Sequence, residues 1–165
     1  MTDLNKYLSG LLAGTERLAI LGAGSELMAD DAAGVMITDA LIERFGETPE
    51  RFRVWSGSTA PECFTGVIKA FKPDHVLLID AADFGGEPGE LCTIDPAVVS
   101  GVSFSTHMLP LKVMLDYLEK EIGCRTTILG IQPASLEFAG EMTEKVRETV
   151  GEVIQALIES LNSGI

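Results

Sequence analysis

The sequence predicts an α/β fold: a three-layer sandwich, with a twisted, mostly parallel five-stranded sheet between helices on both faces. Three features carry that expectation. Two apolar runs, Leu18-Ala19-Ile20-Leu21 and Val76-Leu77-Leu78-Ile79, are too short for core helices and hydrophobic at every position, as parallel strands covered on both sides are. Stretches of helical period separate the strand candidates. Glycine- and proline-rich turns mark the junctions.

The 165 residues suit one domain over 1–165, with residues 1–16 as an N-terminal helical extension. In that extension Leu4, Tyr7, Leu8 and Leu11 have the spacing of an amphipathic helix packed on the domain. Leu18 to Leu21 is the first strand. Gly22-Ala23-Gly24 turns, the acids Asp30 and Asp31 follow, and Ala33, Ile37, Ala40, Leu41 and Phe45 repeat at helical period. Gly46 and the segment 47–50 make a turn, and Phe52 to Trp55 reads as a second strand. It runs into the small-residue loop 56–62, with Pro61 suited to a first helical position. Phe64, Val67, Ile68 and Phe71 mark a helix face that Pro73 ends. Val76 to Asp80 is the clearest strand and, apolar on both faces, a central one.

After the turn-rich loop 83–90, Leu91 to Ile94 reads as a short strand, antiparallel because the return is too short for a crossover helix. Leu111, Met114, Leu115, Leu118 and Ile122 predict a helix with Pro110 in its first turn and Gly123 just beyond its end. Thr126 to Ile131 is the last strand. Thr143 can cap a final helix whose face is Val146, Val150, Val153, Ile154, Leu157 and Leu161. The strands starting at Leu18, Val76 and Thr126 are expected as parallel neighbours in the middle of the sheet.

A net charge of −13 argues against nucleic acid and anionic membrane as partners, since both need Lys and Arg to neutralise phosphate. No apolar run has transmembrane length, and the N-terminus lacks the basic region of a signal peptide. Cys63, Cys92 and Cys124 form no CxxC and no zinc framework, which suggests buried, reduced thiols in a cytoplasmic protein.

The candidate chemistry sits where strands end. Open α/β sheets bind ligands beyond the carboxyl ends of their strands, where Asp31 and Asp80 both fall. Asp30 can cap the following helix while Asp31 faces the crevice; from that stretch alone, capping by both acids is the leading reading. Asp80 differs, because an acid abutting four large aliphatics is costly to bury without a partner or a metal. His107 stands in a polar loop before a helix, whereas His75 precedes the central strand and falls at the opposite end of the sheet. Asp31, Asp80 and His107 are thus expected around one crevice, with Gly24, Gly57 and Thr59 on its rim. Two carboxylates and an imidazole suit a divalent metal with open positions, such as Zn, Ni, Fe or Mn. No GxSxG, HExxH or P-loop occurs. Leu27 stands where a dinucleotide fingerprint needs its third glycine, so no nucleotide cofactor is expected.

The segments GAGSELMADDAAG, SGSTAPE, LLIDAADFGGEPGE, STHMLPL and LGIQP, in this order and spacing, resemble the processing endopeptidases that mature the large subunit of nickel-iron hydrogenases. The likeness runs from about Leu18 to the last helix. THMLPL and IQP look most like the branch serving formate-hydrogenlyase-type and energy-converting hydrogenases. The resemblance implies an aspartic-type, nickel-dependent endopeptidase of the cytoplasm that removes a C-terminal extension from the nickel-loaded large-subunit precursor. It implies nickel ligands at Asp31, Asp80 and His107, catalytic roles for Asp31 and Asp80, nickel arriving with the substrate, and a monomer. Three positions depart from the family pattern: Ser25 replaces an asparagine, and in Ser56-Gly57-Ser58, which replaces Asp-Gly-Gly, the two serines differ. These departures bear on substrate choice, and they keep open a non-proteolytic, hydrogenase-binding accessory protein on the same fold. A metal-dependent hydrolase of small substrates is the third reading.

Overall fold

The computed structural model describes residues 3–46, 50–96, 103–104 and 108–164. In chain order the elements are α1 (Asp3–Leu12), β1 (Leu18–Ala23), α2 (Ala33–Phe45), β2 (Phe52–Ser58), α3 (Thr65–Phe71), β3 (His75–Asp83), β4 (Leu91–Ile94), β5 (Ser103–Phe104), α4 (Met108–Ile122), β6 (Arg125–Ile131) and α5 (Glu144–Ser163). Short 3-10 turns precede α2 and α3.

The sheet runs β2-β1-β3-β6-β4, and the two-residue β5 pairs antiparallel with the far end of β3. β1, β2, β3 and β6 are mutually parallel, and β4 closes one edge antiparallel to β6. The expected sandwich is therefore present, with β1, β3 and β6 adjacent at its centre.

Alternation along the strands divides the core in two. Leu18, Ile20, Leu77, Ile79, Leu129 and Ile131 face α1, α2 and α5. Ala19, Leu21, Val76, Leu78 and Ile128 face α3 and α4. β3 lies between both layers and is buried from His75 to Ala82. That explains why its sequence shows no polar alternation. Asp80, in phase with Val76 and Leu78, belongs to the α3/α4 face.

Several local expectations are corrected. β2 extends to Ser58 rather than stopping at Trp55. Leu8 and Leu12 carry the packing of α1, whose main neighbour is α5, whereas Tyr7 is 40% exposed and bonds the Thr93 hydroxyl of β4. Of the three cysteines only Cys124 is buried, and that burial pushes its thiol pKa up to about 11; Cys63 is exposed. Among the described residues, no helix is long and apolar enough to cross a membrane.

Candidate functional site

The carboxyl ends of β1, β2 and β3 meet at one level. Gly22 pairs with both Ser56 and Ile79, and Ala23 pairs with Ser58 across an irregularity in the ladder. Asp80 follows Ile79 directly, is fully buried, and lies opposite Gly130 of β6. Beyond β1 the chain turns at Gly24, whose φ of +127° is open only to glycine. A Cβ there would stand 1.8 Å from the carbonyl oxygen of Asp31. The chain then enters the 3-10 turn Ala29–Ala32 that carries both acids. Gly34 clamps this unit onto the sheet: a Cβ at that position would lie 2.2 Å from the Ile79 carbonyl oxygen. Two close glycine contacts thus bring the acidic turn against the strand end that holds Asp80.

The adjacent acids have different tasks. Neither caps the helix, since no side-chain cap bond is made to α2. Asp30 is fully buried and accepts hydrogen bonds from the backbone N–H groups of Ala134 (2.8 Å), Ser135 (2.9 Å) and Thr143 (2.7 Å) and from the Thr143 hydroxyl. It ties the acidic turn to the loop between β6 and α5. Its partners lie far along the chain, so capping was the natural expectation from local sequence. For the same reason Thr143 occupies the cap position of α5 without capping it: its hydroxyl donates to Asp30 instead.

Asp31 is only 5% exposed. Its Oδ2 accepts a hydrogen bond from the Ser25 backbone N–H at 2.8 Å, and its Oδ1 has no partner among the described residues. A buried carboxylate oxygen without a donor is costly unless a ligand, water or metal completes it. That chemistry fits a divalent cation or an attacking water. The Ser25 departure matters less than its side chain suggests, because the bond to Asp31 comes from the backbone. Ser58 is different: it holds φ at +51°, a region glycine favours, and the resemblance places glycine there.

Of the rim residues, Gly57 is buried against Pro61 and the Gly22 carbonyl oxygen, and Thr59 is exposed beside the end of β2. With Gly24, they stand along the edge that carries Asp31 and Asp80. His107 lies outside the described residues. Its described flanks are Phe104, paired with Ala82 at the end of β3, and Met108, the first residue of α4. Among the described residues no group of three or more His, Cys, Asp or Glu forms a metal cluster.

Gln132 was not singled out as a site residue from sequence, although it lies in the IQP segment. Its Oε1 accepts from the N–H groups of Phe84 and Gly86, and its Nε2 donates to Asp83 Oδ1 at 3.1 Å. It holds the loop that leaves β3 just after Asp80. A polar residue directly after the apolar run of β6 was the available signal.

An open α/β sheet with buried acids at the carboxyl ends of its central strands defines a ligand-binding or hydrolytic crevice. Comparison with known proteins says which. A family model described as hydrogenase maturation protease, of the HycI type, matches residues 35–160, beginning just after Asp31. A Methanocaldococcus jannaschii chain, provisionally designated a hydrogenase maturation protease, is 35% identical over 161 residues, covering 94% of this chain and 95% of its own. The hydrogenase 3 maturation protease of Escherichia coli K12 is 34% identical over 140 residues, 84% of this chain and 86% of that one. The crystal structure of the HycI maturation protease from Thermococcus kodakarensis superimposes with a TM-score of 0.85 at 33% identity, covering 94% of this chain and 99% of that one. The chain belongs to the hydrogenase maturation protease family, whose members are endopeptidases.

Proposed function

We propose that this protein cuts the C-terminal extension from the nickel-loaded large-subunit precursor of a nickel-iron hydrogenase, with Asp31 and Asp80 as the reactive acids. The observation that carries the reading is the buried Oδ1 of Asp31 beside the end of β3, which has no partner among the described residues. Family membership supplies the substrate class. Nickel belongs to the substrate: it is carried by the precursor and recognised by Asp31, Asp80 and His107. An open donor set of this kind gains binding energy only from a metal-loaded chain, which makes it a gate for maturation state. When present, the metal polarises the scissile carbonyl. Asp31 takes the proton of the attacking water at Oδ1, while the Ser25 N–H keeps its Oδ2 oriented. The rim formed by Gly24, Gly57 and Thr59 admits the peptide.

The test is a cleavage assay read by mass spectrometry on the precursor of the same organism, with and without nickel, using this protein and its Asp80→Asn variant. A C-terminal peptide is expected only from the nickel-loaded precursor and only with the unaltered protein. No cut from a loaded precursor would favour the accessory-protein reading, with the strained Ser58 rim as the first place to look.

A further inference from the structure

Among the described residues β2 is the open edge of the sheet, with β1 as its one ladder partner. The Leu18 N–H donates to the Arg51 carbonyl. In a parallel ladder such bonds alternate, so the backbone groups of Phe52, Val54 and Ser56 point away from β1. An unpaired row of this kind is a template for an added strand.

Beside that edge lies a groove of about 600 Å³ lined by Arg17, Arg53, Val54, Trp55, Val67 and Phe71. Its charge is opposite to that of the chain, which has 25 acidic and only 12 basic residues. The Arg17 and Arg53 guanidiniums stand 4.5 and 5.9 Å from the centre of the same Phe71 ring. Arg17 donates to the Phe71 carbonyl, and neither arginine is paired with a carboxylate among the described residues. Two converging cations left unpaired in so acidic a chain call for an external anion. A polyanion such as nucleic acid would be repelled by the surrounding surface. A peptide carboxylate would not, and the strand edge offers it main-chain hydrogen bonds.

The groove also leads to the site. From Arg53 to its end at Ser58, β2 covers about 16 Å at ~3.3 Å per residue and reaches the Gly57–Thr59 rim. We propose that the open edge of β2 binds the C-terminal extension of the substrate as an added strand, with a carboxylate of that segment held by Arg17 and Arg53. This inference rests on the function proposed above and assigns the part of the substrate beyond the cut its own binding surface.

Trp55 is the sole tryptophan and lines the groove, so it reports occupancy. A synthetic peptide with the sequence of the extension, titrated into the full chain, should change Trp55 emission saturably. Arg53→Glu should weaken binding about tenfold or more, while Arg53→Lys should stay within about threefold. With the nickel-loaded precursor, Arg53→Glu should raise KM about tenfold and leave kcat unchanged. Arg17→Gln should act in the same direction, and its thermal unfolding separates docking from any loss of fold. An amidated C-terminus and, separately, amides in place of the peptide's acidic side chains identify which carboxylate is held. The proposal is overturned if saturating peptide leaves Trp55 emission unmoved, if Arg53→Glu cleaves with the wild-type KM, or if neither amide series loses affinity. Cleavage of the precursor by the unaltered protein alongside any of these results would leave the proposed function standing without the docking edge. Failure of that cleavage would instead strike the function itself.

Discussion

The two ends of β3 carry buried polar clusters of opposite character. At the amino end, His75 is 1% exposed and its ring is fully engaged. Nδ1 accepts from Arg125 Nη2 at 2.9 Å and bonds the Thr15 hydroxyl at 3.1 Å, and Nε2 donates to Thr127 Oγ1 at 2.9 Å. Burial first, and the neighbouring Arg125 second, lower its pKa to about 4, so the ring is neutral. At the carboxyl end, Asp31 is equally enclosed yet leaves Oδ1 without a donor among the described residues. A saturated cluster stabilises the fold and has nothing left to offer a ligand. An unsaturated one is kept at a cost, and the function proposed above has substrate complete it. Asp30 sharpens the contrast, since it adjoins Asp31 in sequence but is saturated like His75.

The largest expected effect tests the unsaturated end. Asp31→Asn should lower kcat for the nickel-loaded precursor by about 10²–10⁴ while leaving thermal unfolding close to wild type. An intact cleavage rate would remove Asp31 from the chemistry. Next comes its neighbour. Asp30→Ala strands the N–H groups of Ala134, Ser135 and Thr143, and should destabilise the protein by about 3–5 kcal/mol in denaturant titrations. A loss below ~1 kcal/mol would mean that the two loops hold together without it.

The amino end should reveal itself through pH. The folded pKa of His75 is about 4 against 6.5 for the free side chain, so the unfolded chain takes up the proton first. The stability held by neutral His75 is complete above about pH 6.5 and lost as pH falls towards 4. Relative to a His75→Gln variant, the native protein should lose about 3 kcal/mol across that window, read from denaturant midpoints at each pH. Parallel curves would show that the ring is not buried in its neutral form. The smallest effect belongs to Ser25→Ala. Its contact with Asp31 is through the backbone, so stability should stay within ~0.5 kcal/mol and cleavage within about twofold.

What could be read from sequence follows the range of the interactions. The apolar run of β3 announced a central strand because burial on both faces removes polar alternation. The short return before Leu91 announced an antiparallel β4 because no crossover helix fits there. Asp80 drew notice because four aliphatics precede it. The task of Asp30 was not legible, since its hydrogen-bond partners, Ala134, Ser135 and Thr143, lie more than a hundred positions away. The same distance hid the true partner of Thr143. Gln132 was missed because a glutamine after a strand reads as an ordinary loop residue until the loop it holds is known.

By itself the sequence determined the layers of the sandwich, the three central strands and the sheet edge that carries Asp31 and Asp80. Local periodicity and strand ends specify these, and both are properties of neighbouring residues. Only the tertiary structure decided, among the described residues, which of two adjacent aspartates is saturated and which is open, and that β2 is an edge beside a basic groove. Those distinctions depend on what approaches from distant parts of the chain. A carboxylate's role is set by the donors that reach it, and a strand's edge by the neighbours that do not.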